Sequence, residues 1–390
     1  MKKDSFYDLL FLAIFLIGFA GSSMAQTIRY VKAGTTGDGA SWSSSSGDIQ
    51  LMINKSAPGD QVWVASGTYT PKYNAENMDG SNPNDRNNAF VMKEGVSLIG
   101  SFAGNETSLG DRTMDVIKNN PSILSGDIGT PKDSSDNTYH VMISVNCTNA
   151  SLIDGFTLKD GFGYSFGSIV VNSTTVLQQA GGGLCNYNST LKLVNLTITG
   201  NSASDGGGIY NLSGGPSMFN VTIDNNKAHY GGGINERNCS PQLIGVVVSN
   251  NIADIDGGGI YNDGSAGNYT NIKITGNSAA GSGGGISNIN KSYPVIDFGD
   301  ILSNIAIAAG GGILNEKYSE TTIINTKISG NKANKGGGMF SAFSTAILTN
   351  VLISGNLAIN EGAGVYNNYS SFTITNGTIS SNYKQHGASG

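Results

Sequence analysis

From residue 181 onward, apolar side chains recur at spacings of 25 to 27 residues, not on the 3.6-residue period of an amphipathic helix. The recurrence is anchored by Asn201, Asn226, Asn251, Asn277, Asn304, Asn331, Asn356 and Asn382. Three residues before each stands Ile198, Ile223, Val248, Ile274, Ile301, Ile328, Ile353 or Ile379, β-branched every time. Eight residues before stands Leu193, Met218, Leu243, Tyr269, Ile296, Ile323, Leu348 or Ile374, each with a large nonpolar body. The position five before is looser, with Gly299, Thr326 and Gly377 among Leu196, Val221, Val246, Ile272 and Val351. Polar Thr, Lys or Ser alternate with these residues, the period-two signature of a half-buried strand, and β-branched side chains suit a pleated surface.

A second marker runs in step with the first. Glycine triplets followed by an apolar residue start at Gly181, Gly206, Gly231, Gly257, Gly283, Gly310 and Gly336, and return as Gly362-Ala363-Gly364-Val365. Glycine and Asn clusters divide each repeat into two or three short strands, and no stretch is patterned for a helix. One such unit cannot bury its apolar face alone. Stacked on its neighbours, it places Ile over Ile and pairs its backbone with the next coil. The fold expected is all-β, a right-handed parallel β-helix solenoid, the hand following from the preference of parallel crossovers. With rungs ~4.8 Å apart, eight of them run roughly 38 Å. The glycines fit tight corners that need a positive φ or close backbone approach. A phosphate loop is rejected because no Lys-Ser/Thr follows them. The Asn column reads as a ladder of stacked amides.

The N-terminal third is less regular. Asp48 is placed to cap a short helix over 49–55 with Ile49, Met52 and Ile53 on one face, closed by Pro58-Gly59. This helix would cover the open end of the stack, as solenoids require. Strands are expected over 62–65, 96–100, 140–145 and 151–158, with polar loops over 70–90 and 127–138. Phe156, Leu158 and Gly161 align with Leu196, Ile198 and Asn201 at an offset of 40 residues, so an inserted loop is placed within 161–180. The organisation expected is therefore a leader over 1–25, cap and first rungs over 26–160, the insertion, and regular repeats over 181–390. The last of these is open at its C-terminal end, because Gly387 falls where the next triplet is due.

The leader is read from Lys2 and Lys3, the apolar run Leu9 to Ala20, and Ser23-Met24-Ala25 as a small-x-small site with cleavage after Ala25. Its apolar run is too short to span a bilayer, which takes roughly 20 residues, and no transmembrane span is expected in the mature chain. Cys147, Cys185 and Cys239 cannot form a full disulfide set and lack metal spacing, and His140, His229 and His386 are too scattered to help them. They read as small buried or half-buried residues, with a single bridge as the alternative. Only 13% of residues are charged and the net charge is −6. That provides no basic surface for a phosphate backbone, so nucleic acid is excluded as a partner.

Two resemblances follow from these residues. Gly206-Gly207-Gly208-Ile209 paired with Ile198-Thr199-Gly200-Asn201 resembles the repeats of the chlamydial polymorphic membrane proteins, with Gly for Ala and Ile for Phe. The resemblance covers residues 181 to 390 and implies a β-helical adhesin. The N-terminal third, from Tyr30-Val31-Lys32 through Pro58-Gly59-Asp60-Gln61-Val62-Trp63 to Ile123-Leu124-Ser125-Gly126-Asp127, is similar to exported bacterial right-handed β-helix repeat proteins. That implies a pectin-lyase-like scaffold.

Candidate chemistry is sparse. The residue after the apolar one of each triplet forms the column Cys185, Tyr210, Asn235, Tyr261, Ser287, Leu314, Phe340 and Tyr366. Alternation turns this column outward, which makes Tyr210, Tyr261, Phe340 and Tyr366 candidate ligand-binding residues for a sugar face or a protein. The competing reading is an aromatic stack that only stabilises the rungs. Asp205, Asp254 and Asp256 precede triplets, but their equivalents elsewhere are not acidic, and Glu236-Arg237 and Glu316-Lys317 read as solvated pairs. No catalytic set, metal site or cofactor is assigned. The expected function is a secreted or cell-surface binding rod, adhesin-like and non-catalytic, its partner an extracellular polysaccharide or a host or cell-surface protein. The alternative is a polysaccharide lyase or glycoside hydrolase on the same scaffold.

Overall fold

The computed structural model describes residues 26–78 and 82–385. The leader, its site at Ala25 and His386 lie outside the described residues. Within the repeats, one coil consists of four short strands, such as Lys192–Val194, Thr197–Thr199, Ser202–Asp205 and Ile209–Leu212. Each pairs in parallel with its counterpart one coil on, in the register Ile198 to Ile223 to Val248 to Ile274. The result is an all-β, right-handed parallel β-solenoid whose four sheets are here numbered 1 to 4 in the order of those strands. The third strand of each coil is the one the periodicity missed. Its only inward residue is the Ala two positions after each Asn from Asn201 to Asn356, too small to mark a strand, yet Ala203, Ala228, Ala253 and Ala279 are all buried.

The columns read from the sequence are the core. Ile198 through Ile353 and Leu193 through Leu348 are almost wholly buried and join one continuous cluster from Val31 to Ile353. The Asn column is the ladder expected. The Asn226 Oδ1 accepts from the Asn201 backbone N–H (3.0 Å) and its Nδ2 (3.1 Å), while the Asn226 Nδ2 donates to the Ile198 carbonyl (2.8 Å). The pattern repeats through Asn251, Asn277, Asn304, Asn331 and Asn356 to Asn382. Backbone groups at a corner, which cannot reach a sheet ladder, are thereby satisfied inside the molecule. The triplets meet both requirements placed on glycine. Gly206 has φ +64°, and a Cβ on Gly208 would lie 2.6 Å from the Gly233 carbonyl oxygen of the next coil.

In the N-terminal third, helix α1 (Ile49–Lys55) forms as expected, with the Asp48 carboxylate accepting from the Leu51 N–H and Ile49, Met52 and Ile53 buried. The expected strand over 151–158 is two strands, Leu152–Asp154 and Phe156–Lys159, split where Gly155 takes φ +76°. A second short helix, α2 (Met114–Asn119), lies against the Ser97–Phe102 strand. Packing here is unrepeated. Trp63 stacks on Phe102 at 4.6 Å, Tyr30 meets Trp42 edge-on at 4.9 Å, and the buried Arg112 guanidinium pairs with Asp154 at 2.9 Å. The segment expected as an inserted loop is an antiparallel hairpin of Ser168–Val171 and Thr174–Leu177. All three cysteines are buried and unbridged.

Candidate functional site

The glycine triplets turn the chain from sheet 3 into sheet 4 so tightly that outward side chains of the two sheets face each other. The corner is re-entrant. Residues ending sheet 3 strands form one wall, namely Asp205, Tyr230, Asp256, Lys335 and Glu361. The outward column of sheet 4 forms the floor. Contacts cross between them one coil apart: Tyr230 to Tyr261 at 5.1 Å between ring centroids, Lys335 Nζ over the Tyr366 ring at 5.3 Å, and Asn235 Nδ2 to Asp205 at 3.1 Å.

This geometry corrects the expectation of exposed rings. Tyr210, Tyr261 and Phe340 do leave the core, but they are 3%, 6% and 8% exposed, and only Tyr366 is half-buried. Tyr210 is covered by the 168–177 hairpin through Tyr187, which it meets at 5.9 Å, and Phe340 stacks on Tyr366 at 5.3 Å. Alternation predicts which side of a strand a residue leaves from; it carries no information about the angle at the next corner.

The acidic and basic residues are also redistributed. Glu236 is not solvated. It points inward and is fully buried, taking a place in a second ladder that runs Asn186, Asn211, Glu236. Its carboxyl accepts from the Asn211 Nδ2 (3.0 and 3.1 Å) and the Cys239 thiol (2.8 Å), and burial pushes its pKa up to about 7. Arg237 reaches back across the groove to Asp205 at 2.8 Å. Burial raises the Asp205 carboxyl despite the guanidinium beside it. Asp256 and Glu316 are likewise raised by desolvation, Glu316 further by the charge of Asp256. Asp254 stays at the surface, paired with Lys227. Among the described residues no three His, Cys, Asp or Glu side chains group as they would around a metal ion.

An exposed constellation lies at another corner, between a sheet 4 strand and the sheet 1 strand that opens the next coil. There each coil has a residue in the left-handed conformation, at Asn146, Asn188, Ser213, Asn238 and Gly264, then two together at Asn290-Lys291 and at Lys317-Tyr318, then Phe343 and Tyr369, all with φ between +48° and +66°. The next residue is commonly serine. The Oγ of Ser265, Ser292, Ser319, Ser344 and Ser370 each accepts a backbone N–H from the coil before, which pins this corner to the rung spacing. Tyr318, Phe343 and Tyr369 are 70%, 53% and 84% exposed, and Phe343 and Tyr369 stack at 5.3 Å with planes 9° apart. With Tyr293, Glu320, Thr345 and Ser371 they line a shallow hollow of about 440 Å³. Sequence reading missed them because the aromatic residues replace Asn and Gly in a column that is otherwise a turn signal. The signal was the replacement itself.

The architecture thus defines a parallel β-solenoid with self-stacking repeats. Residues 195–212 and 245–263 match the Chlamydia polymorphic membrane protein (Chlamydia_PMP) repeat. Among solved structures the chain is similar to pectate lyase Pel9A at 13% identity, over 92% of this chain and 80% of that one, with a TM-score of 0.44. It is similar to the polygalacturonase of Erwinia carotovora ssp. carotovora at 9% identity, over 93% and 99%, with a TM-score of 0.36. A rhamnogalacturonan lyase shares 11% identity over 91% and 87%, with a TM-score of 0.35. No curated protein sequence matches the chain. No helix among the described residues is long and apolar enough to cross a membrane.

Proposed function

We propose that this chain is an exported, cell-surface binding rod, adhesin-like and non-catalytic, that presents regularly spaced side chains to a partner outside the cell. The observation that carries the reading is the exposed file Tyr318, Phe343 and Tyr369, because neither the backbone nor the core accounts for it. A bulky residue in the left-handed region costs roughly 1–2 kcal/mol, and rings so exposed recover little through burial. The Phe343–Tyr369 stack returns only about 0.5–1.5 kcal/mol, less than the conformational cost of the pair.

Export is tested by sequencing the N-terminus of the protein recovered from the cell envelope or medium, expected to begin at Gln26. Binding is tested by applying the mature chain to immobilised polysaccharides and to intact cells while assaying the same polysaccharides for reducing ends and unsaturated products. Retention without product formation is expected; turnover would overturn the reading. One observation favours the alternative of a polysaccharide lyase or hydrolase: Asp256 and Glu316, both held protonated more readily by desolvation, flank the groove. Under that alternative Asp256→Asn abolishes turnover.

A further inference from the structure

We infer that the file at the corner between sheets 4 and 1 takes a linear, uncharged polysaccharide lying along the solenoid axis. This rests on the binding-rod reading and names its ligand. The first argument is size. From Tyr318 to Tyr369 the file spans two rung intervals, about 10 Å, and is one ring wide. A stable protein partner covers about 800 Å² on each side, far more than this strip, whereas a single extended chain lying in the shallow hollow needs no more width than one ring. The second is periodicity. The serine ladder fixes the rings to the coil spacing, so they recur as the units of a polymer recur, and a chain laid parallel to the axis meets an equivalent ring at each step.

The third argument is chemical. Aromatic side chains pack on the apolar CH surface of a sugar, while its hydroxyls need partners that both give and accept hydrogen bonds. Thr345, Ser371 and Glu320 supply these beside the rings. The lining of the hollow holds one carboxylate and no basic group, Lys291 and Lys317 of the same corner not being among its lining residues, so a polyuronate lying on the rings would meet like charge there. That separates this surface from the groove at the glycine corner, where Arg237 and Lys335 stand.

The test is titration of the mature chain with linear cello-, manno- and xylo-oligosaccharides of increasing length, with oligogalacturonate as the acidic comparison. At least one neutral series is expected to bind with affinity that rises with length, oligogalacturonate at least tenfold more weakly. Phe343→Asn and Tyr318→Asn, which restore the residue type of the earlier coils, are expected to weaken binding at least tenfold with no loss of thermal stability. Affinity unchanged in both variants, or preference for oligogalacturonate, would overturn the inference. So would Phe343-dependent binding of intact cells that survives enzymatic removal of their glycans, an outcome that leaves the binding-rod reading standing. No binding to any oligosaccharide or cell would defeat both.

Discussion

The N-terminal third and the repeat region bury comparable apolar cores by opposite means. Up to about residue 160 each coil is held by contacts found once: the Trp63–Phe102 stack, the Arg112–Asp154 pair, the packing of α1. Beyond it, each coil is held by the residue directly above its own equivalent, Asn on Asn and Ile on Ile. The lesson concerns what a substitution destroys. In the first region it removes one specific partner; in the second it breaks a periodic chain at two neighbours at once.

The largest effect expected from this contrast is at Arg112. Arg112→Ala leaves the Asp154 carboxylate buried without its partner and should cost about 3–5 kcal/mol, read as a shift in the urea midpoint. In the repeats, Asn277→Ala leaves the Asn251 backbone N–H without its acceptor and the Val248 carbonyl without the amide that donates to it. A loss of roughly 2–4 kcal/mol is expected from unsatisfied buried groups, and hydrogen exchange should accelerate at the Asn251 N–H while the N-terminal coils stay protected.

Titration sharpens the same comparison because one buried ionisable group in each region is shifted into the range below pH 8, with opposite sign. His140, in the first region, is held down to about 4 from its ordinary 6.5 by burial, so the unfolded chain binds the extra proton and stability falls as pH drops from 6.5 to 4. Glu236, in the repeats, is raised from 4.5 to about 7, so the folded chain holds the extra proton and stability falls as pH rises from 4.5 to 7. Glu236→Gln should remove that second slope and raise stability at pH 8 by roughly 3 kcal/mol, measured by denaturation at pH 5 and pH 8. Equal stabilisation at both pH values would refute the assignment. The smallest effect is at the aromatic file, where Tyr369→Asn should leave stability unchanged or raise it by about 1 kcal/mol.

The solenoid was legible in the sequence because stacking forces equivalent positions to repeat: Ile198, Ile223 and Val248 announce a shared interior, and Asp48 announces the helix after it. What was not legible depended on angles and on neighbours distant in sequence. Tyr210 and Tyr261 leave the strand on the outward side, as alternation requires, and are then enclosed by a corner that no single repeat reveals. Glu236 looked solvated because it precedes Arg237, yet its column partners are Asn211 and Asn262, and column membership sets burial. The insertion within 161–180 looked featureless because its hairpin is built from Ile169, Val171 and Val176, whose burial depends on Tyr187 and Tyr210. The aromatic file was hidden in a register of turn residues, and only the left-handed φ of Phe343 and Tyr369 shows that these rings occupy positions natural to Asn.

The most direct measurement is a paired one on a single variant: oligosaccharide affinity and melting temperature of Phe343→Asn beside the unaltered chain. Affinity lower by tenfold or more, with a melting temperature equal or higher, is the predicted result, since the ring is held at the fold's expense. Undiminished affinity, or a clear drop in melting temperature, would show that Phe343 serves the scaffold and not a ligand.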